Sequence, residues 1–321
     1  MSGLPEGYSI RPATMDDIDA VAGVLAAEDL AATGAVFYDA DFVRLVWSGG
    51  VIDMPNDTWV VETPSGGVIG HANVGCESGD VAEAWGVVHP DHRGLGIGSR
   101  LLDLVDGRAA ELLPRGGRLQ QSVSDTDLVV PRMLRARGFE RARTFRHMQI
   151  ELDGSAPSAD PPAGIEIGPI DPNRDVPTVK SLFDEAFRGD WGYSEISFEE
   201  WRARNVEDRD YDPGLWLLAT EDGEPVGALT AVVSGDRGWV LELAVASPWR
   251  GRGVGSAMLR RSFASFVERG LSRVMLNVDS KNPTGAVGVY ERVGMRAVRG
   301  WDVYEKRLSA TRQPSGASGS L

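Results

Sequence analysis

Apolar and polar positions fall along this chain as short strand-like runs between longer stretches of helical period, and the order of these segments occurs twice. In the first half, alternation over Tyr8–Pro12 predicts a short strand. Thr14, with Asp16 and Asp17 behind it, is placed to cap a helix reaching about Ala31. A second helical piece at Asp41–Trp47 precedes strand patterns at Thr58–Glu62, Val68–Cys76 and Val81–Val88. A glycine-rich turn then opens a helix to about Leu113. A strand at Arg118–Val123, a helix at Leu128–Arg137 and a strand region from Phe139 to Leu152 follow.

The second half runs through the same series. A strand at Ile165–Ile167 is followed by helices at Asp171–Phe187 and Phe198–Asn205, the latter capped by Ser197 with Glu200 completing a capping box. Strands at Leu215–Thr220 and Pro225–Ser234 flank the turn Glu221–Glu224, and a strand at Trp239–Val245 enters a second glycine-rich turn. Next come a helix at Gly253–Arg269 stopped by Gly270, a strand at Ser272–Val278, and a helix at Thr284–Val293 stopped by Gly294. The pattern ends in a closing hairpin at Arg296–Leu308. Two such series predict an α/β fold, a mixed sheet flanked by helices, in two tandem domains. The small, polar and proline residues of 154–163 have linker composition, which gives domains at 1–153 and 164–310 and a disordered tail at 311–321.

Composition narrows the classes. A chain of 321 residues suits two domains of about 150, and 42% hydrophobic with 25% charged residues supplies two ordinary cores. The formal charge of −14 repels nucleic acid and anionic membranes, so neither is an expected partner. Cys76 is the one cysteine, which excludes an intramolecular disulfide and a thiolate metal cluster and reads as a small buried hydrophobe. His71, His89, His92 and His147 show no metal-ligand spacing, so no metal is expected. No signal-peptide pattern opens the chain and no run approaches about 18 apolar residues, so a cytoplasmic protein is the expectation.

The candidate chemistry lies in the glycine turns. Arg250-Gly251-Arg252-Gly253-Val254-Gly255-Ser256 and Arg93-Gly94-Leu95-Gly96-Ile97-Gly98-Ser99 share their arginine and glycine spacing. Each sits between a strand and a helix start, where orphan N–H groups and the helix dipole favour a phosphate or pyrophosphate. A merely tight connection would not require the same spacing twice. No Gly-Lys-Ser/Thr occurs, and the glycines do not fit G-x-G-x-x-G, so nucleoside-triphosphate and dinucleotide readings fail.

What remains resembles the GCN5-related N-acetyltransferase (GNAT) superfamily. An apolar strand and proline turn lead into R-x-x-G-x-G at Leu243–Pro248 and Arg250–Gly255, and again at Trp85–Pro90 and Arg93–Gly98. Downstream in the second half, Asn282, Ala286, Tyr290 and Gly294 match N-x(3)-A-x(3)-Y-x(3)-G-F, with Met295 in place of the phenylalanine. The tandem layout is similar to that of the mycothiol synthases. The resemblance implies an acetyl-CoA-dependent N-acetyltransferase that transfers acetyl directly, in a ternary complex, to a primary amine of a small molecule. Protein N-acetylation and a non-catalytic CoA-binding scaffold are the alternatives. It further implies that Leu243, Ala244 and Val245 hold the pantetheine arm, that Arg250 to Ser256 hold the pyrophosphate, and that Asn282 touches the arm or caps the next helix.

By the same resemblance Tyr290 is the general acid, a phenol suited to a leaving alkyl thiolate. The places of Tyr290 and Asn282 in the first half carry Leu134 and Thr126. Chemistry is therefore expected in the second domain, with Val87 and Arg93 to Ser99 a possible second CoA cradle. The usual glutamate places on the strand hold Leu241 and Trp239. Glu242 is adjacent but faces the other way unless a bulge intervenes, so the base is Glu242, a water chain or another carboxylate. In the first half Glu83 is the corresponding acid. Trp191, Tyr193, Phe198 and Trp201 cluster where an apolar acceptor could lie, or pack in the core.

Overall fold

In a computed structural model, residues 3–76, 79–154, 160–207, 211–282 and 285–308 are described. The expected tail at 311–321 and half of the expected linker lie outside them. The chain folds as β1 (Ser9–Arg11), α1 (Ile18–Thr33), α2 (Ala40–Ser48), α3 (Met54–Asp57), β2 (Thr58–Glu62), β3 (Val68–Gly75), β4 (Val81–Val88), α4 (Ile97–Leu112), β5 (Arg118–Ser124), α5 (Val130–Ala136) and β6 (Glu140–Glu151). The second series is β7 (Ile165–Pro169), α6 (Val176–Phe187), α7 (Phe198–Asn205), β8 (Leu217–Glu221), β9 (Glu224–Ser234), β10 (Arg237–Val245), α8 (Val254–Glu268), β11 (Arg273–Asp279), α9 (Ala286–Arg292) and β12 (Arg296–Arg307).

Local chemistry explains several boundaries. Asp175 accepts from the Asp171 amide at 2.8 Å and holds a turn there, so α6 starts at Val176 with proline in its first turn. Ser197 Oγ accepts from the Glu200 amide at 3.1 Å and starts α7. The helix expected from Thr284 begins at Ala286 among the described residues; its N-cap is Gly285, not Asn282, and Thr284 itself lies outside them.

Two compact units result, and they do not follow the linker. One comprises residues 1–144 and 301–321, the other residues 145–300. The first unit's sheet runs β1-β2-β3-β4-β5 and ends on residues 301–307 of β12, which pair antiparallel with β5. The second unit's sheet begins with residues 145–151 of β6, antiparallel to β11, and continues β11-β10-β9-β8-β7. Each half therefore surrenders the end of its last strand to the other half's sheet. The expected hairpin at Arg296–Leu308 is instead one strand, because its second part finds a partner in β5 rather than folding back. The exchanged segments are core material: Tyr304 and Met148 are each 1% exposed. Among the described residues, one neighbouring pair in each sheet is parallel, β4 with β5 and β10 with β11.

Helices cover both faces of each sheet. In the second unit α8 buries Met258, Phe263 and Phe266 on one face, at about 2 kcal/mol for each side chain. Gly238 on β10 allows this approach, since a Cβ there would stand 2.7 Å from the Phe266 ring. Helices α6 and α7 close the other face through Val179, Phe183 and Trp201. In the first unit His71 is fully buried, with Nδ1 3.0 Å from the Trp59 carbonyl oxygen and Nε2 3.3 Å from Asn73 Oδ1. Burial pushes this imidazole down to about 4.

Candidate active site

The site in the second unit begins with a defect in a strand. Along β10, Val240 lies opposite Ala231 of β9, but Glu242 lies opposite Thr230, so Leu241 is an extra residue and forms a β-bulge. Parallel pairing with β11 is confined to Gly238–Val240 and ends at this bulge. Beyond it a cleft of about 410 Å³ opens, within the range of small-ligand sites. The bulge also answers the question of alternation. Glu242 lines the cleft together with Leu241 and Leu243.

One wall is the glycine cradle. Gly251 and Gly253 have φ of +74° and +89°, a conformation that L side chains seldom take, and Gly253 is the N-cap of α8. The first intrahelical bond runs from the Ala257 amide to the Gly253 carbonyl, which leaves the amides of Val254, Gly255 and Ser256 facing the helix mouth. Arg250 Nε donates to the Val245 carbonyl at 2.9 Å, which ties its guanidinium to the strand end. Leu243, Ala244, Val245, Arg250, Gly251, Gly253, Val254, Gly255 and Ser256 all line the cleft. Arg252 does not; it is ion-paired with Glu221 at 2.7 Å.

Asn282 and Tyr290 also line the cleft. Tyr290 packs on the core through α9, and burial pushes its phenol up to about 12, so it keeps its proton at any working pH. Burial also pushes the Glu242 carboxyl up to about 7; the Lys180 ammonium opposes this and Asp184 adds to it. Lys180 and Asp184 were missed in the sequence, yet a signal was there. Lysine stands on the apolar face of α6 beside Val176, Val179 and Phe183, with an aspartate four residues on. Of the aromatic cluster, Trp201 is core, Tyr193 donates to Asp184, and Trp191 packs on Phe145 with ring centroids 6.1 Å apart.

The first unit repeats the geometry of the cradle. Gly94 and Gly96 have φ of +78° and +83° ahead of α4, which begins at Ile97. Its arginine, Arg93, is ion-paired with Glu28 of α1, and Arg137 donates to the Ser99 carbonyl at 3.1 Å. Val87 and Ile97 are buried, and Leu95 is exposed. Strand β4 pairs with β3 without a bulge over Glu83–Val88. The last turns of α5 and α9 are built alike: the Phe139 amide bonds the Leu134 carbonyl at 3.1 Å, and the Met295 amide bonds the Tyr290 carbonyl at 3.0 Å. Leu134 therefore occupies the phenol's place, and it is fully buried.

Comparison with known proteins agrees with this geometry. Residues 176–295 match the acetyltransferase (GNAT) family and residues 55–141 an acetyltransferase (GNAT) domain. A mycothiol acetyltransferase of Thermobispora bispora is 31% identical over 221 residues, 65% of this chain and 70% of the relative. One from Streptomyces griseus is 30% identical over 72% of this chain and 74% of its own. The crystal structure of a GCN5-related N-acetyltransferase from Sphaerobacter thermophilus superposes with a TM-score of 0.85 at 28% identity, covering 95% of this chain and 97% of that one. A tandem GNAT protein from the clavulanic acid biosynthesis pathway shares the fold, with a TM-score of 0.69 at 17% identity over 95% of this chain and 99% of its own. Among the described residues, no helix is long and apolar enough to cross a membrane.

Proposed function

The chain belongs to the GNAT acetyltransferase family in its tandem form, and from that premise we propose that its second unit transfers acetyl from acetyl-CoA to the primary amine of a small molecule. The reading rests on the convergence in one cleft of the glycine cradle, the Glu242 carboxylate and the Tyr290 phenol. The cradle suits CoA: glycines with positive φ at a helix start, free amides on Val254, Gly255 and Ser256, and Arg250 without an acidic partner among the described residues. When bound, acetyl-CoA supplies an acyl group activated as a thioester. The backbone of Leu243 to Val245 would hold its arm, with Asn282 beside it. Kinship with the mycothiol acetyltransferases supports a small acceptor.

An amine attacks only when neutral, so Glu242 takes its proton. A carboxylate poised near 7 does this better than an ordinary glutamate and is still largely ionised above neutrality. Tyr290 remains protonated and donates to the sulfur as its negative charge develops. The first unit, with Leu134 in the phenol's place, has no part in the chemistry. The cytoplasmic setting expected from the sequence belongs to the same proposal.

The test is thiol release from acetyl-CoA with a panel of amino sugars, aminothiols and amino acid amides. Tyr290→Phe should lower kcat by about 100-fold while CoA affinity in calorimetry stays near wild type. Wild-type kcat in that variant, or acetylation confined to protein amines, would overturn the proposal.

A further inference from the structure

On α6 and the loop after it lies a set of polar groups, Lys180 among them buried, that acyl transfer does not itself require. Lys180 is 6% exposed on the face of α6 that packs on β9 and β10. Its ammonium is ion-paired with Asp184, one helical turn on. The same carboxylate accepts the hydroxyl of Tyr193. A buried lysine is costly, and one carboxylate is enough to keep it charged. Glu242 stands two residues before Ala244, which packs with Val179 and Phe183, so it lies on the face of β10 that α6 covers, and there Lys180 and Asp184 act on it with opposite signs.

The charge balance is simple. With Glu242 ionised, Lys180, Asp184 and Glu242 sum to one negative charge; with Glu242 protonated they sum to zero. The proton that separates these two states sits on Glu242, which lines the cleft. Other groups around Glu242 do not substitute for the pair. Across β9, Thr230 is uncharged, and its buried hydroxyl has no hydrogen-bond partner among the described residues. Asp190 after α6, Arg250 in the cradle, Asp279 at the end of β11, and Tyr290 and Arg292 on α9 line the cleft, but none acts on Glu242 as Lys180 and Asp184 do. Glu195 acts on Tyr193 from an exposed position.

We propose that Lys180 and Asp184 are positioning residues that set, in opposite directions, how tightly Glu242 holds the proton taken from the acceptor amine, with Tyr193 holding Asp184 in place. The inference rests on Glu242 as the base, deepening the function proposed above. A lysine serving only as an ion-paired core residue would affect stability and leave the Glu242 proton alone.

The test uses the full chain without substrate, so that it stands apart from turnover. Glutamate side-chain carbons are labelled with 13C, the Glu242 resonance is assigned by its loss in Glu242→Gln, and its midpoint is followed by NMR. Lys180→Met should raise the midpoint by about one pH unit and Asp184→Asn should lower it by a similar amount, while Lys180→Arg stays near wild type. Opposite signs are the signature, because misfolding moves both variants the same way. Midpoints that stay within about a third of a unit in both variants, or move together, overturn the proposal. Loss of amine acetylation with the opposite shifts intact would instead count against the proposed function.

Discussion

Replacing Glu242 by glutamine should make the protein more stable, and more so at pH 8 than at pH 5. Burial raises this carboxyl from its ordinary 4.5 to about 7. Between those values the native state binds more protons at this position than the unfolded chain does. Stability is therefore lost as pH rises through the window and levels off above it. At about 1.36 kcal/mol per pH unit, the full penalty for holding Glu242 ionised is about 3 kcal/mol. Glutamine keeps the shape and carries no charge, so it escapes that penalty. The stability difference between variant and wild type should be about 1 kcal/mol at pH 5 and about 3 kcal/mol at pH 8. Urea denaturation of both proteins at both pH values, followed by tryptophan fluorescence, measures it, and other titrating groups cancel in the comparison. The same variant should lose at least about 100-fold in kcat. A stability gain that is equal at both pH values, or that shrinks as pH rises, would refute the placement of Glu242 in a desolvated site.

Four further outcomes are expected. Gly253→Ala forces a side chain to φ +89° and should cost about 1–2 kcal/mol, with weaker CoA binding in calorimetry. Arg250→Ala should weaken CoA binding more than Arg252→Ala, because Arg252 is engaged with Glu221 outside the cleft; equal losses would place both at the ligand. Leu134→Ala should destabilise the protein by about 2–5 kcal/mol in denaturation while the folded enzyme keeps its kcat. His71, held neutral by burial, should weaken the fold as pH falls from 6.5 towards 4, and its imidazole should stay unprotonated at pH 5 by NMR.

The glycine turns were legible in the sequence because positive φ and a helix start impose a local signature, and the tandem α/β plan followed from repetition of the strand and helix rhythm. Two features were not legible. A period-two reading sends Glu242 to the wrong face, since a bulge shows only in pairing with β9, a strand whose register the local pattern leaves open. The fate of residues 145–151 and 301–307 depends on partners far along the chain, so the same residues read equally well as a strand closing their own half. Lys180 falls between these cases: its place on an apolar helix face was visible, but its influence on Glu242 depends on how α6 packs against β10.

The traded strands bear on why a half with leucine in the place of Tyr290 persists at all. In an ordinary duplication, either copy can be deleted. Here deletion of residues 1–153 would strip β11 of its neighbour, expose the edge of the second unit's sheet, and leave Tyr304 and its strand without the core they fill. The two halves are mutual hostages: each is free to drift in chemistry, and neither is free to leave. This is also the connectivity that a strand-swapped homodimer would leave behind once its two genes had fused.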